Sequence, residues 1–435
     1  MGRITTAGLV VALAACGDNS SPSPSFELVG RSDLGARGMS SALAVAGDTV
    51  YIGSRNDKRG VAVVDITDPS APQVLGEPIA PITGLSSREL RAVPDLDLLV
   101  VMNLQCTPDL HGCSGAAPQE FLAFYDIHDR HAPVLLSMYP IATGTFMPRS
   151  PHEMYLQREG ARVRVFVTTP PASPSLEIID ATDPRVPVRV AAWDPRQAGL
   201  STHAGGDDIL HSVSLSADGT VAYLSHQQSG LLLANISALP AITLITPPAA
   251  AVHWDPITSM GPHSTVEVPG RDLVVVTEEI YPQPFGGGCP WGPLRMVDTT
   301  NPAAPLVVGV LRLPENEGSY CSTPHERVAF TAHNATVTHD LALVTWYAGG
   351  LQAVDISDPT RPTAIAELRP EPLTTVAVED PGLGGAPVEM WSYPVIQNGL
   401  VYVVDVRNGL YVLRYHGPWS DEVVAESFLE GNSNL

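Results

Sequence analysis

Positive charge is scarce in this 435-residue chain, and lysine is almost absent from it. Lys and Arg together number 24 against 46 Asp and Glu, which gives a formal net charge of -22, and Lys58 is the single lysine. Such an acidic surface repels phosphate backbones, so nucleic-acid binding is not expected. Charged residues make up only 16% of the chain and hydrophobic residues 44%, so the chain can bury a large core.

Several motifs of known chemistry are also missing. The sequence contains no Gly-x-Ser-x-Gly elbow, no phosphate-binding glycine loop, no His-Glu-x-x-His pattern and no Cys-x-x-Cys pair. These absences argue against a hydrolase nucleophile elbow, a nucleotide site, a zincin centre and a cysteine-ligated metal. Helical periodicity is missing as well, and short apolar runs separated by turn residues indicate β-strands instead.

One phrase, by contrast, recurs along almost the whole chain. Its clearest copy is Gly60–Pro72, which reads GVAVVDITDPSAP. Further copies occupy Phe121–Pro133, Ser175–Pro187, Gly292–Pro305 and Gly350–Pro362, with weaker ones at Gly230–Pro240 and Gly409–Arg414. Repeats of this kind stack into one body, so a single large domain is expected. The aspartate can bond the backbone two residues on and proline restricts φ, so both are predicted to form turns.

Each repeat predicts four short antiparallel strands. In the first unit these are Ala42–Ala46, Thr49–Ile52, Gly60–Val64 and Gln73–Glu77. Seven such units predict an all-β fold, a seven-bladed β-propeller of four-stranded antiparallel blades; a β-solenoid would need far shorter coils. The last unit lacks a fourth strand, whereas Phe26–Gly30 has the pattern of a fourth strand without its first three. Their pairing would close the ring and cover two sheet edges.

The chain resembles the LVIVD-repeat family, whose name describes the third strand seen in Val61–Asp65 and Leu351–Asp355. The resemblance covers nearly all of residues 26–416 and departs from the family pattern at Asn235 and Arg414, where the aspartate is missing. It implies a propeller on an exported or surface protein, and it implies no particular reaction.

The N-terminus predicts export. A short basic segment precedes the apolar run Ala7–Ala15, which is too short to span a bilayer. Leu13–Cys16 resembles the lipobox of bacterial lipoproteins, which implies cleavage before Cys16 and attachment of a lipid to its thiol; an ordinary signal peptide with a chance cysteine is the alternative. The expected divisions are a lipoprotein signal peptide at 1–15, the lipidated cysteine and Ser/Pro tether at 16–25, the propeller at 26–418 and a C-terminal tail at 419–435.

The remaining cysteines agree with an oxidising compartment. Without Cys16 their number is even, which suits disulfides. Cys106 and Cys113 share one short segment, and Cys289 and Cys321 form the second expected pair. The predicted address is the outer membrane or the cell surface and periplasm, with the N-terminal lipid in the membrane.

Propeller topology places the long connections together on one face, where the first strand of each blade begins. Four consecutive blades carry a histidine at that position: His152, His211, His263 and His333. Converging imidazoles suit a square-planar or tetragonal copper site, with zinc as the next choice. Further residues expected at the same mouth, as extra ligands, supporting partners or ligand-binding groups, are Arg55, Arg88, His226, Glu278, Glu279, Trp346, Tyr347, Trp391 and Arg407.

Two functions remain open. In the first, the protein is a lipid-anchored monomeric platform that binds a protein, glycan or small-molecule ligand through its loop-rich face, and the histidines recur by duplication and bond the backbone of a neighbouring blade. In the second, the histidines hold copper or zinc at the channel mouth, and the protein is an enzyme of oxidase-like or hydrolytic type. No cofactor is certain, and the sequence does not decide between the two.

Overall fold

The protein is built almost entirely from β-strands. A computed structural model describes residues 23–114, 119–141, 151–169, 174–200, 209–252, 261–282, 287–317, 320–322, 328–383 and 386–435. Cys16 and the predicted signal peptide lie outside these residues. Within them, no helix is both long enough and apolar enough to cross a membrane.

Most strands follow one another in sheets of four, each adjacent pair antiparallel. The first eight after the N-terminal strand β1 (Ser25–Ser32) are β2 (Ser40–Ala46), β3 (Thr49–Ser54), β4 (Val61–Asp65), β5 (Gln73–Ile79), β6 (Leu85–Val93), β7 (Leu98–Gln105), β8 (Phe121–Asp126) and β9 (Val134–Pro140). These eight form one sheet, but only the single pair Ser54 and Ser87 connects β3 to β6. The sheet therefore consists of two four-stranded units, β2–β5 and β6–β9.

Four further sheets have four strands each, in sequence order. They are β10 (Met154–Glu159), β11 (Arg162–Thr168), β12 (Leu176–Asp180) and β13 (Val188–Trp193); β14 (Leu210–Leu215), β15 (Val221–His226), β16 (Gly230–Asn235) and β17 (Thr243–Leu244); β18 (Thr265–Glu267), β19 (Leu273–Thr277), β20 (Leu294–Asp298) and β21 (Leu306–Leu311); and β22 (Ala335–Val337), β23 (Leu341–Thr345), β24 (Leu351–Asp355) and β25 (Thr363–Leu368).

The last sheet combines both ends of the described chain. Its strands are β26 (Val395–Gln397), β27 (Leu400–Asp405), β28 (Gly409–His416) and β29 (Phe428–Glu430), in the order β1-β28-β27-β26-β29. The N-terminal strand thus takes the fourth place beside β28, as the sequence predicted, with Ser25 opposite His416. The C-terminal segment adds helix α2 (Ser420–Ala425) and strand β29, neither of which the sequence indicated.

The repeated phrase forms the third strand of its unit. In β4, β12 and β24 the first four residues are buried and only the closing aspartate is partly exposed. Apolar side chains from adjacent sheets pack face to face, as Val100, Phe124 and Val165 do between β6–β9 and β10–β13. The core therefore lies between neighbouring sheets. Both faces of such strands are buried, so their sequences are continuous apolar runs.

The connections divide into two groups by length. Short turns join the first strand to the second and the third to the fourth, as at residues 47–48 and 66–72. The longer connections join the second strand to the third and one unit to the next; they carry the short helix α1 (Pro108–His111) and the 3-10 turns Pro248–Ala250, Pro314–Asn316 and Tyr320–Ser322. Because neighbouring strands run antiparallel, all of these longer connections leave the sheets at the same edge.

Candidate metal centre

The backbone holds the four predicted histidines at matching positions at the start of four successive units. Three of them donate their backbone N–H to the carbonyl of a threonine at the end of the second strand: His152 to Thr168, His263 to Thr277 and His333 to Thr345, each at 2.9 Å. His211 is the second residue of β14. The four side chains therefore leave the sheets at one level, on the edge with the long connections.

Hydroxyl groups bind the carbonyls of three of the histidines to the preceding unit. Thr168 Oγ1 donates to the carbonyl of His211 at 2.8 Å, Ser212 Oγ to that of His263 at 2.6 Å, and Ser264 Oγ to that of His333 at 2.8 Å. These contacts between neighbouring units are made by carbonyls, and any residue type could supply them. His333 also uses its ring, since its Nδ1 lies 2.6 Å from the carbonyl oxygen of Trp391.

The imidazole rings contact one another in chain order. The ring centroids are 4.2 Å apart for His152 and His211, 4.0 Å for His211 and His263, and 4.0 Å for His263 and His333. The Nε2 atoms of His152 and His211 lie 2.7 Å apart. The four rings therefore form one chain of contacts in sequence order, here called the histidine row.

A carboxylate completes the row. Glu279 lies 3.3 Å from Nε2 of His333, 3.5 Å from Nε2 of His263 and 3.7 Å from Nε2 of His211. It follows β19 at the end of a second strand, where the sequence placed it. Tyr347 donates its hydroxyl proton to the same carboxylate. Every one of these histidine contacts is made by Nε2, so the same ring atom of each residue faces the cluster.

The donor atoms have the spacing of metal ligands. Two ligands that are each about 2.1 Å from one zinc ion lie roughly 3 to 3.5 Å apart. One ligand atom each from His263, Glu279 and His333 lies within 4.8 Å of the other two, and Glu153, His211 and His263 form a second such group. Nε2 of His263 is buried and, among the described residues, makes no hydrogen bond. Its lone pair or proton is therefore left without a partner, which a metal ion would supply.

The protonation states suit ligands of a cation. Burial holds the pKa values of His211 and His263 well below the usual range of histidine, and burial together with Arg88 lowers that of His152 to about 4. These rings are neutral at pH 7, as a metal requires. Burial opposes charge on Glu279, but the imidazoles of His333 and His263 hold its pKa well below the usual range. Glu279 is therefore a carboxylate.

Two arginines, Arg55 and Arg88, lie next to the histidine row and close to the Trp391 ring. The Trp391 ring lies 5.5 Å from that of His333, and the guanidinium carbons of Arg55 and Arg88 lie 5.5 and 5.3 Å from the Trp391 ring. Arg55 is fully buried and pairs with Asp380 at 3.0 Å, and its Nη2 donates to the Tyr281 hydroxyl at 3.1 Å. The predicted residues Arg55, Arg88, Glu279, Tyr347 and Trp391 thus belong to one site with the histidines.

Four other predicted residues make different contacts. Glu278 pairs with Arg295, Nδ1 of His226 accepts from the Ser229 N–H, Trp346 Nε1 donates to the Phe330 carbonyl, and Arg407 pairs with Glu379. Glu278 and Trp346 directly precede Glu279 and Tyr347, just after β19 and β23 end. In each pair the second residue contacts the histidines and the first makes the separate contact given above.

Glu153, Tyr281, Asp380 and His111 were not among the predicted site residues. Glu153 is buried beside His211 and His263, and burial together with Glu89 raises its pKa well above the usual range. Its position directly after His152 was a usable signal. No sequence signal places the other three, because long connections bring them to the site.

Both predicted disulfides are present. Cys106 bonds to Cys113 and Cys289 to Cys321, with Cα–Cα distances of 5.9 and 5.4 Å. The first encloses helix α1, whose last residue, His111, contacts Arg88. Both crosslinks lie in long connections, so they brace the edge of the sheets that carries the histidines.

Comparison with known proteins supports the fold. The family model of the LVIVD repeat matches residues 37–77 and 332–367. The periplasmic gluconolactonase PpgL of Pseudomonas aeruginosa superposes with a TM-score of 0.52 at 14% identity, over 76% of this chain and 84% of its own. Sqt1 of Saccharomyces cerevisiae gives 0.52 at 8% identity over 91% and 99%, and the C-terminal WD40 domain of Sif2 gives 0.51 at 7% over 90% and 99%.

These structures share a β-propeller fold with the chain, and at such low identity they show the fold alone. No curated protein matches the sequence.

Proposed function

Because this chain is an LVIVD-repeat protein, we propose that its repeats form the seven blades of a closed β-propeller with a functional site at one mouth of the central channel. Six four-stranded units and the five-stranded last sheet support this arrangement, as does the pairing of β1 with β28. The inner strands begin at the edge with the long connections, so the histidine row lies at the mouth that those connections surround.

The proposed site is a transition-metal centre with His263, His333 and Glu279 as its core ligands and His211 as the nearest further ligand. The observation that carries this proposal is that the Glu279 carboxylate lies 3.3 to 3.7 Å from three histidine Nε2 atoms. Several imidazoles and one carboxylate suit zinc and copper, with copper favoured where the ligands approach one plane. His152 contacts only His211 in the row and would hold that ring in place.

The bound ion would act as a Lewis acid or redox centre toward a small molecule that enters from the long-connection face. The protein's own residues prepare that chemistry. Tyr347 donates a hydrogen bond to Glu279 and orients its carboxylate. The Trp391 carbonyl fixes the ring of His333 through Nδ1. Burial keeps His211 and His263 neutral, so these two rings can bind a cation without first losing protons.

Metal analysis of protein purified without a histidine tag tests this proposal. After expression with copper and zinc supplied, we expect close to one equivalent of bound metal. The double variant His211→Leu with His263→Leu should lose it. The variant loses the contact between Nε2 of His211 and Nε2 of His152. Nδ1 of His211 and both ring nitrogens of His263 make no hydrogen bond among the described residues, so leucine of similar volume costs little else and the fold should persist.

His128→Leu is the matched control. His128 is exposed and contacts Asp97 among the short turns, at the edge of the sheets opposite the histidine row. It should retain all of the metal. Circular dichroism and thermal unfolding would establish that the double variant is folded. Wild-type protein with less than a tenth of an equivalent of metal, or a double variant that keeps its metal, would refute the proposed centre.

We also propose that the mature protein is exported and held in a membrane by a lipid on Cys16. The lipobox-like Leu13–Cys16 and the Ser/Pro segment after it support this address. Cys16→Ser should move the protein from the membrane fraction to the soluble fraction, while Cys106→Ser should leave it in the membrane fraction. Equal distribution of wild-type and Cys16→Ser protein would count against a lipid anchor.

A binding platform without catalysis is the second candidate. The observation in its favour is the concentration of long connections on a single edge of the sheets, since loops that are long on one face usually carry binding. A protein, glycan or small molecule would then dock across this face. Metal-free wild-type protein would favour the platform over the metal centre.

A further inference from the structure

Arg88 lies beside the proposed metal centre without a carboxylate partner for its guanidinium among the described residues. It belongs to β6, is half-buried, and stacks at 5.3 Å from the centroid of the Trp391 ring. No carboxylate of the described residues lies within ion-pair distance of it, whereas Arg55 next to it pairs with Asp380. Withdrawing a cation from water without a counter-charge is costly, so such an arrangement points to a missing anion.

The one polar contact of Arg88 within the described residues is to a neutral histidine. Its Nη1 lies 2.9 Å from Nε2 of His111. Burial holds the pKa of His111 far below its usual range, so the ring carries no charge. A guanidinium can only donate, so Nη1 of Arg88 donates to Nε2 of His111, which holds the guanidinium in place without balancing its charge. The N–H groups on Nε and Nη2 of Arg88 therefore remain as two donors without an acceptor in the described part of the chain.

A third donor lies on the same side. Nη1 of Arg55 is fully buried and has no hydrogen-bond partner within the described residues, although Nε and Nη2 of this guanidinium face Asp380 and Tyr281. Arg55 and Arg88 flank the same Trp391 ring, and that ring also contacts His333 of the metal centre. The unpartnered donors of Arg88 and Arg55 thus lie close together, with the Trp391 ring between them and the proposed ligand His333.

We propose that Arg88 and Arg55 bind the carboxylate of a small organic acid whose other end reaches the metal centre, while His111 holds the Arg88 guanidinium in place. This inference rests on the proposed metal centre and names its substrate class. The planar guanidinium fork of Arg88 matches a carboxylate, and the unpartnered Nη1 of Arg55 adds a donor beside the same Trp391 ring. A single negative charge fits better than phosphate, because Asp380 already neutralises Arg55 and Glu279 adds another negative charge nearby.

The surroundings of the two arginines favour a small acid. The aromatic rings of Trp391, Tyr281 and Tyr347 lie next to the guanidinium groups and present apolar surface beside them. The proposed acid therefore pairs one carboxylate with a compact apolar or hydroxylated body. The net charge of -22 does not attract anions at long range, so recognition depends on these local donors and not on electrostatic steering.

Binding of benzoate, compared with its uncharged isostere benzamide, tests the proposal. Isothermal titration of metal-loaded wild-type protein should detect saturable binding of benzoate and at least tenfold weaker binding of benzamide. Arg88→Met should weaken benzoate binding at least tenfold while leaving the unliganded protein as stable as wild type or more stable, because it removes an uncompensated cation. Arg407→Met is the control, since Arg407 pairs with Glu379 outside the site, and it should bind benzoate like wild type.

The same titration in His211→Leu with His263→Leu separates this inference from the metal centre. Benzoate that still binds there, and still requires Arg88, would show that the carboxylate site does not depend on metal. Three results would overturn the inference: benzamide binding equal to benzoate, undiminished benzoate binding by Arg88→Met, or inorganic phosphate binding more tightly than benzoate. A metal-loaded wild type that binds no benzoate would overturn it and leave the metal centre standing. Should Arg88→Met fail to fold, Arg88→Gln takes its place, and the same tenfold loss is expected.

Discussion

Arg55 and Asp380 form an ion pair that is almost fully withdrawn from water. Their side chains are 0% and 3% exposed, and Nε of Arg55 lies 3.0 Å from Oδ2 of Asp380. Oδ1 of the same carboxylate accepts the backbone N–H groups of Gly382 and Leu383, which shapes the connection before β26. The pair therefore ties that long connection to the end of β3, and removal of one partner leaves the other charge buried.

We predict that Asp380→Asn lowers the free energy of unfolding by about 3 kcal/mol, because the asparagine keeps the backbone contacts at Oδ1 and removes only the counter-charge of Arg55. Denaturant unfolding followed by circular dichroism measures this loss. Glu159→Gln is the control, since the Glu159 pair with Arg162 is exposed and should contribute less than about 1 kcal/mol. Adding Arg55→Met to Asp380→Asn should recover stability; a further loss would contradict the ion-pair explanation.

The aspartates of the repeated phrase form hydrogen bonds that stabilise the turn after the third strand. Oδ1 of each accepts the backbone N–H two residues on: Asp65 from Thr67, Asp126 from His128, Asp180 from Thr182, Asp298 from Thr300 and Asp355 from Ser357, at 2.8 to 3.0 Å. Asn235, one of the two departures from the family pattern, accepts from Ser237 at 2.9 Å in the same way. The turn needs the acceptor oxygen and not the charge, so the substitution is tolerated.

The prolines of the phrase connect one unit to the next. The carbonyl of Pro184 accepts from Ser137 Oγ at 2.5 Å, and that of Pro302 accepts from Thr246 Oγ1 at 2.7 Å. A Cβ on Gly30 would lie 2.1 Å from the Pro69 carbonyl oxygen, and the strand of the preceding unit can approach this closely only because it has glycine there. The Asp-Pro turns therefore set the contact between neighbouring sheets, which accounts for their regular recurrence.

These turns predict a specific acid sensitivity. Hydrogen bonds from the turn lower the pKa values of Asp65, Asp68, Asp298 and Asp358, the last to about 2. Groups with a lowered folded-state pKa stabilise the protein above their unfolded pKa and lose that contribution as the pH falls. Replacing all four with asparagine should flatten the decline of Tm between about pH 4 and pH 2.

Thermal unfolding across that range, compared with wild type, measures the effect. Asp109→Asn with Asp421→Asn is the matched control, because neither aspartate accepts such a turn hydrogen bond in the described part of the chain. The control should decline like wild type. A fourfold variant that declines as steeply as wild type would show that the turn carboxylates do not set the acid stability.

The strand and turn positions could be predicted because they depend on local patterns. Period-two runs and Asp-Pro turns located β2 to β5 within a few residues, and counting units placed His152, His211, His263 and His333 at equivalent positions. Glu279 and Tyr347 followed from their strand ends. Arg88 was predicted at this mouth, but its contact with His111 could not be predicted, because His111 lies in a disulfide-closed loop that the strand pattern does not place.

At the scale of the whole molecule, the last sheet depends on a strand from the opposite end of the sequence. β1 lies along β28 over its full length, and Glu27 contacts Arg414 and His416 across the pair. Without β1, the edge of β28 would present unpaired N–H and C=O groups, and such edges recruit other chains. The predicted monomeric state therefore relies on this one strand.

Removal of residues 1–32 should expose that edge and lower the Tm by roughly 5 °C or more, with a shift to larger species in size-exclusion chromatography. Removal of residues 1–22 alone retains β1 and should give a monomer with the stability of the mature protein. If both truncated proteins elute and melt alike, β1 does not protect the sheet.

The pairing of β1 with β28 also has a consequence in time. A ribosome that adds 5–20 residues per second completes β28 roughly 20 to 75 seconds after β1. During that interval β1 has no partner in its own chain, although the units between the two strands can already form from contacts that are near in sequence. The first described strand therefore pairs only after nearly the whole chain has been made. The rate of translation, not of local folding, sets the earliest moment at which this sheet can be complete.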